Sequence, residues 1–311
     1  MTDNSPRSTH IAIAVAPVSY GFMRLGNALE KACAEASLIQ TSHVRLLGTE
    51  EKWAAVEIAI ALGEIDLAEA RTNLRNTFSG QADVALVPAR NRKKRLLISD
   101  MDSTIIEQEC LDELAAYAGL KDEIAAITAR AMAGELDFEG ALTERVGKLK
   151  GLALPALEQC YAERITFMPG ARTLTATMAA NQAFCLLVSG GFTFFTSRVA
   201  AEVGFQSDRG NTLIDDGTAL TGDVGRPILG REAKLDALDD AAFANGLTRL
   251  DAVAMGDGAN DLAMIEAAGL GLAVHAKPIV AEAADAAIDV TDLTAALYFQ
   301  GYTDSEIVWR D

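Results

Sequence analysis

The 311-residue chain is half hydrophobic, which suits a globular protein of two domains, one large enough for a full doubly wound core, and excludes a disordered chain. Its formal net charge of −17 excludes general binding to nucleic acid or anionic membrane, and an anionic substrate needs a locally positive pocket. Four scattered cysteines (Cys33, Cys110, Cys160, Cys185) and three scattered histidines (His10, His43, His275) lack metal-ligand spacing, so no zinc site is expected and the thiols are expected to be reduced in a cytoplasmic protein.

Residues 1–9 are polar, without the apolar core of a signal peptide, and read as a disordered tail. His10–Ala16 alternates Ile and Val with Ala and predicts a strand. A helical pattern follows over Phe22–Leu38, then strands over Val44–Leu47 and Ala55–Leu62, although the alanines of the second also permit a helix. Ile65–Phe78 reads as a helix and Ala82–Val87 as a strand, which completes a small α+β unit in ferredoxin-like order. The basic run Arg90–Arg95 predicts a solvated linker rather than an anion-binding patch in so acidic a chain.

From Arg95 onward, apolar strands alternate with helices: Leu96–Ser99, Phe184–Val188, Ala252–Met255, Gly271–Val274 and Ala287–Val290. That alternation predicts an α/β fold, a Rossmann-like doubly wound parallel sheet. The helical segment Glu107–Arg164 is too long for a crossover and predicts an inserted helical cap, about 107–165. Asn211–Val224, with Asp216-Gly217 between two strand-like arms, predicts a hairpin. No apolar stretch is long enough to cross a membrane. The expected domains are therefore 1–90 and 91–311.

The first core strand ends in Ser99-Asp100-Met101-Asp102-Ser103-Thr104, which sets two carboxylates at the end of the sheet where open α/β folds bind ligands. Carboxylates placed so close repel and lose solvation unless a cation or a proton offsets them. The strand Ala252–Met255 ends in Gly256-Asp257-Gly258-Ala259-Asn260-Asp261, an oxygen-donor cluster that suits Mg2+. Ser189-Gly190-Gly191, a turn after an apolar strand, offers a hydroxyl and N–H groups to a phosphate, and Lys234 offers a cation. Read singly, these are an ordinary turn and a surface lysine.

Together the D-x-D-x-T run, the Ser189 turn, Lys234 and the G-D-G-x-N-D run, in that order, resemble the motifs of the haloacid dehalogenase-like phosphatases over roughly residues 95–295. The resemblance implies that Asp100 attacks phosphorus and Asp102 serves as acid and base. It further implies that Mg2+ sits on Asp100, Asp257 and the backbone carbonyl of Asp102. Ser189, Gly190, Lys234 and Asn260 would contact the substrate, with Asp261 supporting the metal loop. Glu109, Met132, Phe138 and Arg145 resemble the cap residues of the phosphoserine phosphatases within that family. There the Glu takes the substrate amine, the Arg its carboxylate, and Met and Phe close over the site. A Glu and an Arg are complementary to the two charges of an amino acid, and Arg holds a carboxylate bidentately. Without the core motifs, Glu109 and Arg145 read as solvated helix charges, and Met132 and Phe138 as packing.

The expected activity is Mg2+-dependent hydrolysis of O-phospho-L-serine, the last step of serine biosynthesis. Alternatives are hydrolysis of another small phosphomonoester, phosphotransfer to an acceptor such as homoserine, and an amino-acid sensor with a vestigial core. The N-terminal unit looks like an ACT-type domain. A packing or dimerisation role without ligand is the other reading, and a homodimer is compatible with the sequence. A small-molecule phosphomonoester, not nucleic acid or membrane, is the expected partner.

Overall fold

The computed structural model describes residues 9–48, 52–132 and 135–310, with Met132 described by its backbone alone. The expected disordered tail falls, but for Thr9, outside the described residues. In chain order the N-terminal unit comprises β1 (His10–Pro17), α1 (Phe22–Glu35), β2 (Ile39–Gln40), β3 (Arg45–Gly48), β4 (Trp53–Ala61), α2 (Leu67–Thr77) and β5 (Asp83–Pro88). Then come β6 (Leu96–Ser99) and the cap helices α3 (Cys110–Tyr117), α4 (Lys121–Met132), α5 (Phe138–Lys148) and α6 (Leu154–Arg164). The core resumes with α7 (Ala171–Ala180), β7 (Phe184–Phe192), α8 (Thr193–Val203), β8 (Ser207–Asn211), the short pair β9 (Leu213–Asp215) and β10 (Leu220–Val224), and α9 (Arg231–Ala244). It closes with β11 (Ala252–Gly256), α10 (Leu262–Ala267), β12 (Leu270–Val274), α11 (Pro278–Ala283), β13 (Ala286–Ile288) and α12 (Ala295–Phe299). Among the described residues no helix is long and apolar enough to cross a membrane, and all four cysteines are free and buried.

The C-terminal part is a parallel sheet in the order β8-β7-β6-β11-β12-β13. Residues along its strands alternate between two apolar layers. Leu97, Leu187, Val253 and Leu272 face α7, α8 and α12, while Leu96, Ile98, Leu186 and Ala254 face α9, α10 and α11. A parallel strand buried on both faces explains the unbroken apolar runs of the sequence. The sheet is thus doubly wound, with the helical cap inserted after β6.

The sheet does not stop at the C-terminal part. β13 meets β5 antiparallel at Ala286 and Ala85, and β5-β1-β4 then continue the same sheet, with β2 and β3 both on β4. Period two sorts β1: Ala12, Ala14 and Ala16 face α1 and α2, whereas Ile11, Ile13 and Val15 join the core that holds α12 and Tyr302. Asp83 strengthens the junction by accepting from the N–H groups of Asp289, Val290 and Thr291 at 2.9, 3.0 and 2.8 Å.

The basic run Arg90–Arg95 is solvated only in part: Arg90, Asn91, Lys93 and Arg95 are exposed, but Arg92 and Lys94 turn inward. Arg92 is largely buried and pairs with Glu57 at 2.8 Å. Lys94 is 7 % exposed, and its Nζ donates to the Leu250 carbonyl at 2.8 Å. A buried partner on a distant strand, such as Glu57 on β4, converts an apparently solvated charge into an internal tie.

The hairpin is real but shorter than expected, β9 with β10, because Asn211 belongs to β8. It leans on the cap. Gly151 donates to the Leu220 carbonyl, Leu220 to that of Leu152 and Leu154 to that of Thr218, at 2.8, 2.9 and 3.0 Å.

Candidate active site

Asp100 stands just beyond β6, at the carboxyl end of the parallel sheet. Its N–H donates to the Met255 carbonyl of β11 at 2.9 Å, which sets the two motif-bearing strands level. Its Oδ1 accepts from Met101 N–H at 2.8 Å and pairs with Lys234 Nζ at 2.7 Å. Lys234, in the first turn of α9, is 3 % exposed and also pairs with Asp261 at 2.5 Å. Burial alone would lower the lysine, but Asp100 and Asp261 outweigh it and hold the ammonium at about 12.

The carboxylate oxygens of Asp100, Asp257 and Asp261 lie within 4.8 Å of one another. Asp257 is pushed up by burial first and then by the charge of Asp100. Three carboxylates facing one ammonium leave an uncompensated negative charge in a partly dry site. All the donors are oxygens, which suits a hard divalent cation. The glycines beside Asp257 are needed for space: a Cβ on Gly256 would lie 2.4 Å from the Asp261 carboxyl, and one on Gly258 2.4 Å from Asn260 Oδ1. Asn260 itself is exposed at the rim.

Asp102 points away from this cluster. Its Oδ1 accepts from Cys110 N–H at 3.0 Å and its Oδ2 from Ser189 Oγ at 3.1 Å. Burial, with the charge of Asp100 second, pushes it up to about 6. Ser103 has φ +54°, a conformation that L residues seldom adopt, and its hydroxyl donates to Glu109 at 2.9 Å. Glu109 is pushed up to about 7, by burial and then by Asp102.

Ser189-Gly190-Gly191 is not a turn that ends the strand. β7 runs on to Phe192, and the three residues Arg209–Asn211 of β8 face the five from Val188 to Phe192, so the segment bulges out of register. Such a bulge re-aims side chains without ending the strand. Gly191 N–H donates to Ser189 Oγ at 2.8 Å. A Cβ on Gly191 would stand 3.0 Å from Asp102 Oδ2.

From the cap, Phe138 lays its half-exposed ring over Gly190 and Gly230, where added Cβ atoms would meet it at 3.3 and 3.6 Å. Arg145, two turns along α5, donates from Nε to the Ala141 carbonyl at 3.3 Å. Burial lowers its pKa, against the opposing charges of Asp112 and Glu109. Met132 ends α4, and its side chain lies outside the described residues. The structure therefore gathers Asp100, Asp102, Ser189, Lys234, Asp257 and Asp261 at the sheet end, and brings Phe138 down on Gly190.

One positioning group escaped the sequence reading. Asn211, 2 % exposed, donates to the carbonyls of Gly190 (2.8 Å) and Leu229 (3.3 Å) and accepts from Leu229 N–H (2.7 Å). It thus ties the Ser189–Gly191 bulge to the segment that leads into α9 and Lys234. An Asn in a strand flanked by charged and glycine residues was the available signal. Asn211→Ala leaves buried backbone groups unpaired and is expected to cost about 2–3 kcal/mol in stability. It should also lower kcat; calorimetric melting and steady-state kinetics check the two effects.

The doubly wound sheet thus carries a paired-aspartate loop, a buried lysine and an acidic cluster together at its carboxyl end. The model of the haloacid dehalogenase-like hydrolases matches residues 97–266. The chain is similar to a phosphoserine phosphatase of Archaeoglobus fulgidus, 40% identical over 242 residues, covering 77% of this chain and 70% of that one. Among solved structures it resembles a probable phosphoserine phosphatase from Vibrio cholerae in unliganded form, with TM-score 0.72 and 29% identity over 95% of this chain and 87% of that one. It also resembles a phospho-aspartyl intermediate analogue of phosphoserine phosphatase, with TM-score 0.61 and 39% identity over 66% of this chain and 98% of that one. The chain belongs to the haloacid dehalogenase-like hydrolases.

Proposed function

We infer that the protein hydrolyses O-phospho-L-serine to L-serine and phosphate through an aspartyl-phosphate on Asp100. The observation that carries this reading is the meeting of two halves in one site. The Asp100/Asp102 pair and Lys234 form the reacting half, and Glu109, Phe138 and Arg145 border it from the cap side. A carboxylate and a guanidinium beside a phosphate site are complementary to the ammonium and carboxylate of one amino acid.

The Asp100 carboxylate attacks phosphorus as the bond to the serine oxygen breaks, and Asp102 in its acid form gives that oxygen a proton. A water then attacks the phosphorus of the aspartyl-phosphate, Asp102 takes its proton, and the Asp100 carboxylate is freed. Ser189, the N–H groups of the bulge and Lys234 stabilise the equatorial oxygens. Asp100, Asp257 and the Asp102 carbonyl would hold Mg2+, with Asp261 supporting the loop from its pairs with Lys234 and Gly258, and the ion when bound offsets the mutual repulsion of carboxylate and phosphate.

Phosphate release from phosphoserine, phosphothreonine, sugar phosphates and an aryl phosphate, with Mg2+ and with chelator, tests the reading. Mg2+-dependent preference for phosphoserine is expected; activity on the other esters alone would discard the substrate and keep the chemistry. Arg145→Ala is expected to raise KM for phosphoserine about 100-fold and leave the aryl phosphate nearly unchanged, because only phosphoserine carries the carboxylate. Equal losses on both esters would make Arg145 structural. We propose further that the N-terminal βαβββαβ unit is an ACT-like module, a reading supported by the strand order β5-β1-β4 with the short β2 and β3 both at the far edge.

A further inference from the structure

The N-terminal unit touches the catalytic part at one place that leads straight to the acidic cluster. Helix α11 has six residues, too few to persist without partners, so its position depends on what holds its ends. At its start, the N–H of Lys277 donates to the Asp257 carbonyl at 3.2 Å, and Val280 in the middle is fully buried. At its far end the last carbonyls have no partner within the helix. Arg75 of α2 supplies one, its guanidinium donating to the Ala281 carbonyl and, at 3.4 Å, to that of Ala284.

One turn earlier on α2, Arg71 pairs with Asp285 at 2.6 Å. Asp285 in turn accepts from Gly271 N–H, at the start of β12, at 2.8 Å. Two cations at a helix C-terminus also complement its dipole. Of the two glycines that flank Asp257, Gly256 is paired with Ala273 of β12 and Gly258 donates to the Asp261 carboxylate at 3.0 Å. The contact from Lys277 adds a restraint on the Asp257 carbonyl between them.

We propose that Arg75, assisted by Arg71, is a positioning residue for the divalent-cation site: it caps α11 from the N-terminal unit, and α11 holds Asp257. The N-terminal unit is in this way a mechanical support of the metal loop. The inference rests on Asp257 belonging to the cation site, and it is independent of which phosphomonoester is cleaved.

Mg2+ binding to the purified full chain, followed by calorimetry and by the Mg2+-induced rise in melting temperature, needs no substrate. Arg75 lies beyond the groups that touch the ligands, so Arg75→Ala is expected to weaken Mg2+ binding about three- to ten-fold. At saturating Mg2+, kcat and KM should stay within about two-fold of wild type, since Arg75 touches no reacting atom. Arg75→Lys, which keeps a cationic donor, should recover part of the affinity. Lys52→Ala is the control: it breaks the 2.8 Å pair with Asp292, which joins the same two parts of the chain without touching α11, and should leave Mg2+ binding unchanged. Unchanged Mg2+ binding in folded Arg75→Ala overturns the proposal, as does an equal loss in Lys52→Ala, which would mean general loosening. If Arg75→Ala does not fold, Arg75→Gln decides by the same two criteria.

Discussion

Asp100→Asn is expected to lower turnover by about 10⁴-fold or more, because the amide oxygen cannot form the covalent phosphoryl ester. The fold should be undisturbed. Asp100 is one of three clustered carboxylates, and Lys234 keeps its 2.5 Å pair with Asp261 when Asp100 is neutralised. Removing one of three like charges relieves repulsion, so the melting temperature without Mg2+ should equal or exceed that of wild type. The rise in melting temperature on adding Mg2+ should shrink, since the cation loses a charged ligand. Kinetics together with melting curves at several Mg2+ concentrations check both halves; a normal rate with a normal Mg2+ response would reject Asp100 as nucleophile.

The second large effect belongs to Asp102→Asn. Serine is a poor leaving group that needs a proton, whereas a nitrophenolate leaves without one. A loss of about 10³-fold on phosphoserine is therefore expected, with a much smaller loss in the phosphorylation step on an aryl phosphate. The wild-type group sits near 6 because burial and Asp100 disfavour its charged form. Proton donation to serine accordingly weakens as pH rises through that value, while proton removal from water gains. A single intermediate value allows one carboxyl to serve both steps in turn. Burst kinetics with the aryl ester separate them, and equal losses on both esters would assign Asp102 a structural role.

The two aspartate motifs were legible because each is local. Leu96–Ser99 and Ala252–Met255 are short apolar runs, and a buried parallel strand that turns polar at its end announces a ligand-facing edge. The bulge at Ser189-Gly190-Gly191 was not legible, since it arises from the mismatch of β7 with β8, a partner that the sequence reading did not identify as a strand. Lys234 could be named from its place in the motif order, but its double pairing, to Asp261 27 residues on and to Asp100 just beyond β6, exists only once α9 packs on the sheet. Charge alone misled at Arg92 and Lys94, because their partners Glu57 and Leu250 are supplied by β4 and by the segment before β11. Asn211 escaped for the same reason: its value lies in two segments it ties together, neither adjacent to it in sequence.

The three backbone hydrogen bonds between the β9–β10 pair and the residues around Gly151–Leu154 have a mechanical consequence. The cap is spliced into the chain at two crossings, near Ile106 and Phe167, which pair with each other as an isolated bridge. The hairpin makes a third tether. If the cap swings as a body, the hairpin rides with it, and the bending falls on residues 225–230, the stretch that Asn211 anchors and that opens into the helix of Lys234. Such a motion would pivot on three hinges, and the third leads directly into the helix that carries Lys234.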